Sequence, residues 1–251
     1  MRIHKAGHEI RSLDDWFRWA PPKRRALHWK DNRSAKELAR SWLREGIPQP
    51  PPELVSLLTL TFGSEIVFDE AMPECAVELD DFEGETRNCD LVIVCHNGAQ
   101  RVVISVEAKA DEPFGSSTVG EYYDEKVGSS SNVPKRIEQS TALFGRQPDK
   151  DIRVLRYQLV HAAAASLIEA KKRGAKLGVL LVHEFISARL NSVKLEQNAK
   201  DWATFVRAFP QFAEAKVQRN QILGPISVPG GGRVPHPTQL YLGKVVTQLC
   251  S

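Results

Sequence analysis

The sequence predicts an α/β protein with a mixed central sheet and helices packed on it, and three observations carry that prediction. Two apolar runs of β type, Asp90–Cys95 (DLVIVC) and Arg101–Ala108 (RVVISVEA), are joined across His96-Asn97-Gly98; Asn-Gly is a strong signal for a tight hairpin. A helix is expected from Ile152 to Arg173, because Leu155, Leu159, Ala162, Ala163, Ser166, Leu167 and Ala170 recur at helical spacing as one buried face. Leu177–Ile186 (LGVLLVHEFI) is almost unbroken apolar sequence, as expected of a strand covered on both sides. Hairpin, helix and buried strand in that order argue for layered α/β architecture.

The remaining elements follow in chain order. Residues 1–33 read as irregular and rich in Trp, Arg and Lys, broken by Pro21 and Pro22. Ser34 opens a helix, with Ser34 and Glu37 spaced as a capping box, and Gly46 and Pro48 end it. Pro50, Pro51 and Pro52 mark a rigid turn, and Pro52 or Glu53 starts a second helix through Leu54, Val55, Leu57 and Leu58. Ser64–Phe68 and Cys75–Leu79 read as a first strand pair, followed by the charged turn DDFEGETRN. Residues 111–135 look like loop. Gly174 caps the long helix, Asp201–Phe209 forms a short one, residues 230–232 (Gly-Gly-Gly) are loop, and Thr238–Thr247 is a last strand. The whole chain, 1–251, reads as a single domain with no internal repeat: a core at about 34–186, an N-terminal Trp/Arg-rich segment 1–33, and a C-terminal helix and closing strand within 187–251.

Composition narrows the class of protein. Of 251 residues, 42% are hydrophobic and 26% charged, which is ordinary for a globular chain and unlike a disordered one. A net charge of +3 neither demands nor excludes nucleic acid, because a local basic patch can drive binding. The longest apolar stretch is too short to cross a bilayer, and the N-terminus lacks the apolar run of a signal peptide. Cys75, Cys89, Cys95 and Cys250 show no paired spacing, so small buried thiols in a reducing cytoplasm are expected rather than a disulfide framework or zinc site. The glycine run lacks the GK[ST] of a phosphate-binding loop, and no G-x-S-x-G elbow suggests an esterase.

One constellation carries chemistry. In a hairpin the start of one strand lies beside the end of its partner, so Asp90 and Glu107 reach the same sheet edge. Side chains alternate along a strand, so Glu107 and Lys109 point the same way. Two carboxylates and an ammonium at one place suit phosphodiester hydrolysis. Mg²⁺ takes oxygen ligands and keeps several waters, it activates water and offsets developing charge, and a lysine can orient the attacking water or stabilise the transition state.

The stretch NCDLVIV…RVVISVEAKADEPFG resembles the PD-(D/E)XK nuclease superfamily, with Asp90 as the motif aspartate and Glu107-Ala108-Lys109 as E-x-K; Cys89 stands where a proline often precedes the aspartate. More narrowly, VEAKADEPFG, GEYYDEK, RYQLVHAAAASLIEA and LYLGKV are similar to an uncharacterised bacterial family placed in that superfamily. Over roughly residues 34–186 the resemblance implies a restriction-endonuclease-like mixed sheet flanked by helices. It also implies that Asp90, Glu107 and the Ala108 carbonyl bind Mg²⁺ or Mn²⁺ beside Lys109. The implied activity is metal-dependent cleavage by an endonuclease or exonuclease, with DNA favoured over RNA, no membrane partner, and a homodimer where both strands are cut. Defence against foreign DNA, or repair, follows from the superfamily alone. The rival from another class is a non-catalytic nuclease fold that binds nucleic acid or a protein partner.

Further candidates have two readings each. In related nucleases the first helix often carries an extra metal-facing carboxylate, which would be Glu37; the capping box explains the same residue without a metal. Glu53, at the start of the second helix, is a poorer candidate for that carboxylate. The helix after E-x-K often carries a glutamine facing the site, which would be Gln158; a partly exposed amide is the alternative. Lys135, Arg136 and Arg156 are candidate phosphate contacts, or solvated surface charge. Asp111 and Glu112 could shape the mouth of the site or simply make a turn, Glu121, Tyr122 and Tyr123 could belong to a loop over it, His161 reads as a helix-surface histidine rather than a catalytic one, and His183-Glu184 at a strand end reads as satisfying backbone or facing solvent. The N-terminal tryptophans and arginines could stack on bases and grip phosphates, or lid the core.

Overall fold

The computed structural model describes residues 1–63, 65–82, 86–98, 100–234 and 236–249. Ser64, the centre of the charged turn and Cys250 therefore lie outside the described residues. Among those described, the strands are β1 (Arg2–Lys5), β2 (His8–Glu9), β3 (Leu43–Arg44), β4 (Ile47–Pro48), β5 (Val67–Val77), β6 (Arg87–Asn97), β7 (Gln100–Lys109), β8 (Leu177–Ile186), β9 (Gln221–Val228) and β10 (Thr238–Gln248). The helices are α1 (Leu13–Trp19), α2 (Ser34–Trp42), α3 (Pro52–Phe62), α4 (Val119–Lys126), α5 (Val133–Ala142), α6 (Lys150–Arg153), α7 (Tyr157–Lys172) and α8 (Ser192–Arg207). No helix among them is long and apolar enough to cross a membrane.

The predicted α/β class with a mixed central sheet is what the structure has. Eight of the described strands form one sheet in the order β2-β1-β5-β6-β7-β8-β10-β9. β5, β6 and β7 run antiparallel in sequence, β8 lies parallel to both β7 and β10, and β9 closes the far edge antiparallel to β10. Strand alternation divides the core into two layers. On one face Leu91, Ile93, Ile104, Val106, Val179 and Leu181 pack with Trp16, Leu38, Trp42, Leu54 and Leu58 of α1–α3. On the other, Val92, Val94, Val103, Leu180, Val182 and Leu242 pack against α7 and the helices around it. β8 is buried along almost its whole length, as its apolar run predicts. At Gly178 an added Cβ would stand 3.0 Å from the Ser166 carbonyl oxygen, so glycine and the alanines of α7 let helix and sheet approach closely.

Several local expectations are corrected. The continuous helix from Ile152 to Arg173 is broken, because residues 155–157 pair with another segment. Leu155 O accepts from Val119 N at 2.8 Å and Tyr157 N donates to Ser117 O at 3.2 Å. Asp149 caps the short α6, and α7 starts afresh at Tyr157. The expected loop 111–135 holds α4 and the start of α5; α4 opens on a capping box between Thr118 and Glu121. The expected capping box of Ser34 and Glu37 does not form. Ser34 is already helical, and its N–H and hydroxyl both donate to Glu112 Oε1 at 3.3 Å. The strand pair expected at Ser64–Phe68 and Cys75–Leu79 is one strand, β5, shifted in register between Phe68 and Glu70. β1 pairs with β5 only at Glu70 and Ala71, so Pro73 sits beyond that ladder and forfeits no bond to it. Within the irregular segment 1–33, Ile3, Ile10 and Trp16 are buried and fix β1, β2 and α1. The helix expected at Asp201–Phe209 begins earlier, at Ser192, where the Asn191 side chain accepts from Lys194 N.

Candidate active site

The β6–β7 hairpin builds the site. Its register pairs Leu91 with Val106, so Asp90 and Glu107 fall opposite one another one step on. Asp90 Oδ2 accepts the Ala108 backbone N–H at 2.7 Å, which pins the aspartate across the hairpin mouth. Glu107 is 3% exposed. Its Oε1 accepts from Lys109 Nζ at 2.9 Å and from Gln158 Nε2 at 2.6 Å, and its Oε2 accepts from the Arg87 guanidinium. Lys109 Nζ also donates to Gln158 Oε1 at 3.3 Å and lies over the Phe114 ring. Gln158 thus bridges the carboxylate and the ammonium from the first turn of α7, a position it owes to the break that restarts the helix.

These groups line a cavity of about 1170 Å³, together with Glu74, Tyr122, Arg136, Tyr157 and His161. Glu74 was not expected here. The β5–β6 register, which pairs Pro73 with Leu91 and Cys75 with Cys89, sets Glu74 opposite Asp90, so carboxylates stand side by side on β5, β6 and β7. Glu74 adopts φ +48°, a left-handed conformation uncommon for a residue other than glycine. Local strain of that kind is concentrated at functional sites. Arg87 was also missed, because it adjoins the charged turn at the very start of β6.

The cluster is electrostatically uneven. Burial, then the charge of Asp90, pushes the Glu74 carboxyl above its ordinary range, although Lys5 on β1 acts against this. Burial, then the charge of Glu107, likewise raises Asp90. Burial would raise Glu107 as well, but the charges of Lys109 and Arg87 and their hydrogen bonds outweigh it and hold that carboxylate low. Glu107 is therefore the settled anion, and Asp90 with Glu74 is the pair short of positive charge. His161, expected at the helix surface, instead lines the cavity with its ring tilted against Tyr157, centroids 3.7 Å apart, and is held neutral by burial and by the nearby Arg87 and Arg136 charges.

Asp90, Glu107, Lys109 and Gln158 are brought together as expected, with Ala108 between the two β7 side chains. Glu37 is not: it is buried away from the cavity lining, where its Oε1 accepts from Asn32 N at 2.8 Å and Arg40 at 2.9 Å. Glu53 lies elsewhere too, accepting from Thr247. Arg136 lines the cavity while paired with Asp80 at 2.8 Å, and exposed Lys135 lies over the Phe82 ring. Arg156 is tied to Asp201 at 2.9 Å and to the Ser116 carbonyl, outside the lining. Of the turn residues, Glu112 lines the cavity and joins α2 to it, whereas Asp111 pairs with Arg33 at 3.0 Å. Glu121 is spent on its capping box, Tyr123 donates to Glu138, and Tyr122 lines the cavity.

Among the described residues no group of three or more His, Cys, Asp or Glu side chains is arranged to hold a metal ion. Mg²⁺ does not need one. It retains several waters and is commonly held by one or two carboxylates together with substrate phosphate. The donors present are hard oxygens, which suit Mg²⁺ or Mn²⁺. The neighbouring Cys89 is unsuited, since burial pushes its thiol up to about 12 and keeps it protonated. Asp90 and Glu107 therefore fit a hard divalent cation, and the charge-starved Asp90–Glu74 pair would welcome one.

An α/β sheet whose central hairpin presents acidic and lysine side chains to one cavity, joined there by a glutamine from α7, defines the class to which the chain belongs structurally. Residues 9–249 match the family described as Domain of unknown function (DUF6946), and the chain is a member of that family. Comparison with curated proteins and with solved structures gives no significant match.

Proposed function

We propose that the protein is a metal-dependent phosphodiester hydrolase acting on nucleic acid, a nuclease of the PD-(D/E)XK type with DNA as the favoured substrate. The observation that carries the reading is the convergence of Asp90, Glu107, Lys109 and Gln158 on one cavity at the mouth of the β6–β7 hairpin. Asp90 and Glu107, with the Ala108 carbonyl, would hold Mg²⁺ or Mn²⁺. When bound, the ion supplies Lewis-acid stabilisation of the phosphoryl oxygens and eases deprotonation of water. Lys109 presents a positive charge where negative charge grows in the transition state. Gln158 fixes both Glu107 and Lys109, which spares the site reorganisation during reaction. Arg136, on one wall of the cavity, and the adjacent exposed Lys135 would receive neighbouring phosphates. Buried protonated thiols at Cys89 and Cys95 fit a reducing compartment such as the cytoplasm. A homodimer is compatible with double-strand cleavage.

The test is incubation of purified protein with single- and double-stranded DNA and RNA in Mg²⁺ or Mn²⁺, beside Asp90→Ala and Lys109→Ala. Cleavage by the wild type, lost in both variants, is the expected result. Cleavage that survives both substitutions would place the activity elsewhere.

One observation favours a second reading, a nuclease fold that binds without cutting: Glu107 already accepts from three side chains. Metal uptake lost in Asp90→Ala, with no cleavage of any substrate, would select it.

A further inference from the structure

We propose that Arg87 is a substrate-binding residue of this site, neutralising Glu107 in the metal-free protein and turning to a substrate phosphate once a divalent cation occupies the carboxylates. The proposal rests on the nuclease reading above.

Arg87 lines the cavity from the start of β6 and its side chain is only 10% exposed. A guanidinium has five N–H donors in a planar fork, yet among the described residues Arg87 finds its acceptor in a single group, Glu107 Oε2, and its buried Nε has no partner there. Other partly buried arginines are better supplied. Arg173 reaches Glu169, Glu70 and Met72, and Arg146 reaches Asp149 and the Ala208 carbonyl. A buried donor left unmatched is costly and calls for an explanation.

Glu107 does not need Arg87 for neutrality. Lys109 at 2.9 Å already supplies a cation to Oε1, and Gln158 supports the same oxygen. Arg87 is thus the second positive charge on a carboxylate expected to accept a divalent one, and the two cations repel. A phosphodiester has what the guanidinium lacks, two anionic oxygens matched to its fork. Leaving Glu107 for such a phosphate would relieve the repulsion and supply the missing acceptors in one rearrangement.

This makes a prediction of opposite signs that a mere brace for Glu107 does not share. Mn²⁺ binding is measured by titration calorimetry for wild type, Arg87→Met and Arg87→Lys. Binding of a labelled short single-stranded DNA is measured by fluorescence anisotropy, with Ca²⁺ in place of Mg²⁺ to suppress cleavage. Arg87→Met is expected to bind Mn²⁺ about tenfold tighter, since a neighbouring cation shifts a carboxylate by about one unit or more. It is expected to bind DNA about tenfold more weakly, the usual loss for a charged hydrogen bond. Arg87→Lys, which keeps charge but not the fork, should retain wild-type Mn²⁺ affinity and still lose DNA affinity. It decides the matter should Arg87→Met not fold, as judged by circular dichroism. Weaker Mn²⁺ binding in Arg87→Met, or unchanged DNA binding in both variants, overturns the role of Arg87 and leaves the nuclease reading intact. Wild-type protein that takes up no Mn²⁺ overturns the nuclease reading itself.

Discussion

Two clusters of buried charge sit in the same sheet, and they are built on opposite principles. Between β8 and β10, Glu184 and Lys244 pair at 2.9 Å with side chains 3% and 4% exposed, one acid against one base and outside the cavity lining. Around the β6–β7 hairpin, Glu74, Asp90 and Glu107 face Arg87 and Lys109 in the cavity, and only Glu107 is directly paired with them. A balanced pair leaves no net charge for a ligand to answer, even though Glu184 Oε1 is buried without a partner among the described residues, and such a pair is often no more stabilising than apolar residues of the same shape. A carboxylate excess open to a cavity lowers stability and is retained where a ligand will use it. The imbalance, rather than the burial, marks the site.

The sharpest way to break this comparison is to delete one member of each cluster. Asp90→Ala should cut the proposed nuclease turnover by at least about a hundredfold, as loss of a key electrostatic group does, while leaving the far-UV circular dichroism unchanged. Lys244→Met should do the reverse: it strands Glu184 and costs about 3–5 kcal/mol of stability in urea unfolding, with Mn²⁺ affinity unaltered. Pairing it with Glu184→Leu should restore most of that loss.

A smaller effect sharpens the point about imbalance. In the folded protein Asp90 titrates above its ordinary 3.8, so it keeps a proton that the unfolded chain releases. Its contribution to stability is complete below that ordinary value and is lost as pH rises through the folded one. Asp90→Asn should therefore stabilise metal-free protein by on the order of 1 kcal/mol at about pH 8, with the gain vanishing near pH 4. Urea titrations at both pH values check it, and a gain of equal size at each would contradict it.

A second pH-dependent effect belongs to His183, which is fully buried rather than facing solvent, donates from Nε2 to Thr247 Oγ1 at 2.8 Å, and is held down to about 3 by burial. Its folded value lies below the unfolded 6.5, so the stability it supplies is complete above about 6.5 and is lost as pH falls towards about 3. Replacing it, as His183→Phe, should flatten the acid limb of a Tm-against-pH curve over that window.

How much of this was legible in the sequence depends on how local each feature is. The hairpin, the E-x-K and the paired Asp90 are written in apolar alternation over short runs and could be read directly, although His96 and Asn97, expected in the turn, pair with Arg101 and Gln100 inside the ladder. Gln158 was suggested only by the resemblance, since related nucleases often carry a glutamine on the helix after E-x-K, and the start of α7 that positions it is set by residues 117–119. Glu74 was hidden because Asp69, Glu70 and Pro73 spoil the alternation of β5, and only pairing with β6 brings it beside Asp90. Arg87 was hidden because a cation beside a charged turn looks solvated until its partner, Glu107, is found twenty residues on. β1 has four residues and no strand signature of its own; the open edge of β5 makes it a strand. Glu37 shows the opposite failure, a locally plausible cap whose partner was taken by Glu112.

In the proposed site Asp90 and Glu107 share one hard divalent cation. Crystals grown with Mn²⁺ and measured near the manganese absorption edge would reveal it. An anomalous difference peak is expected in the hairpin cavity within about 2.4 Å of oxygens from both carboxylates, absent from crystals of Asp90→Asn. A cavity without such a peak at millimolar Mn²⁺, or one whose manganese sits away from Asp90, would contradict it.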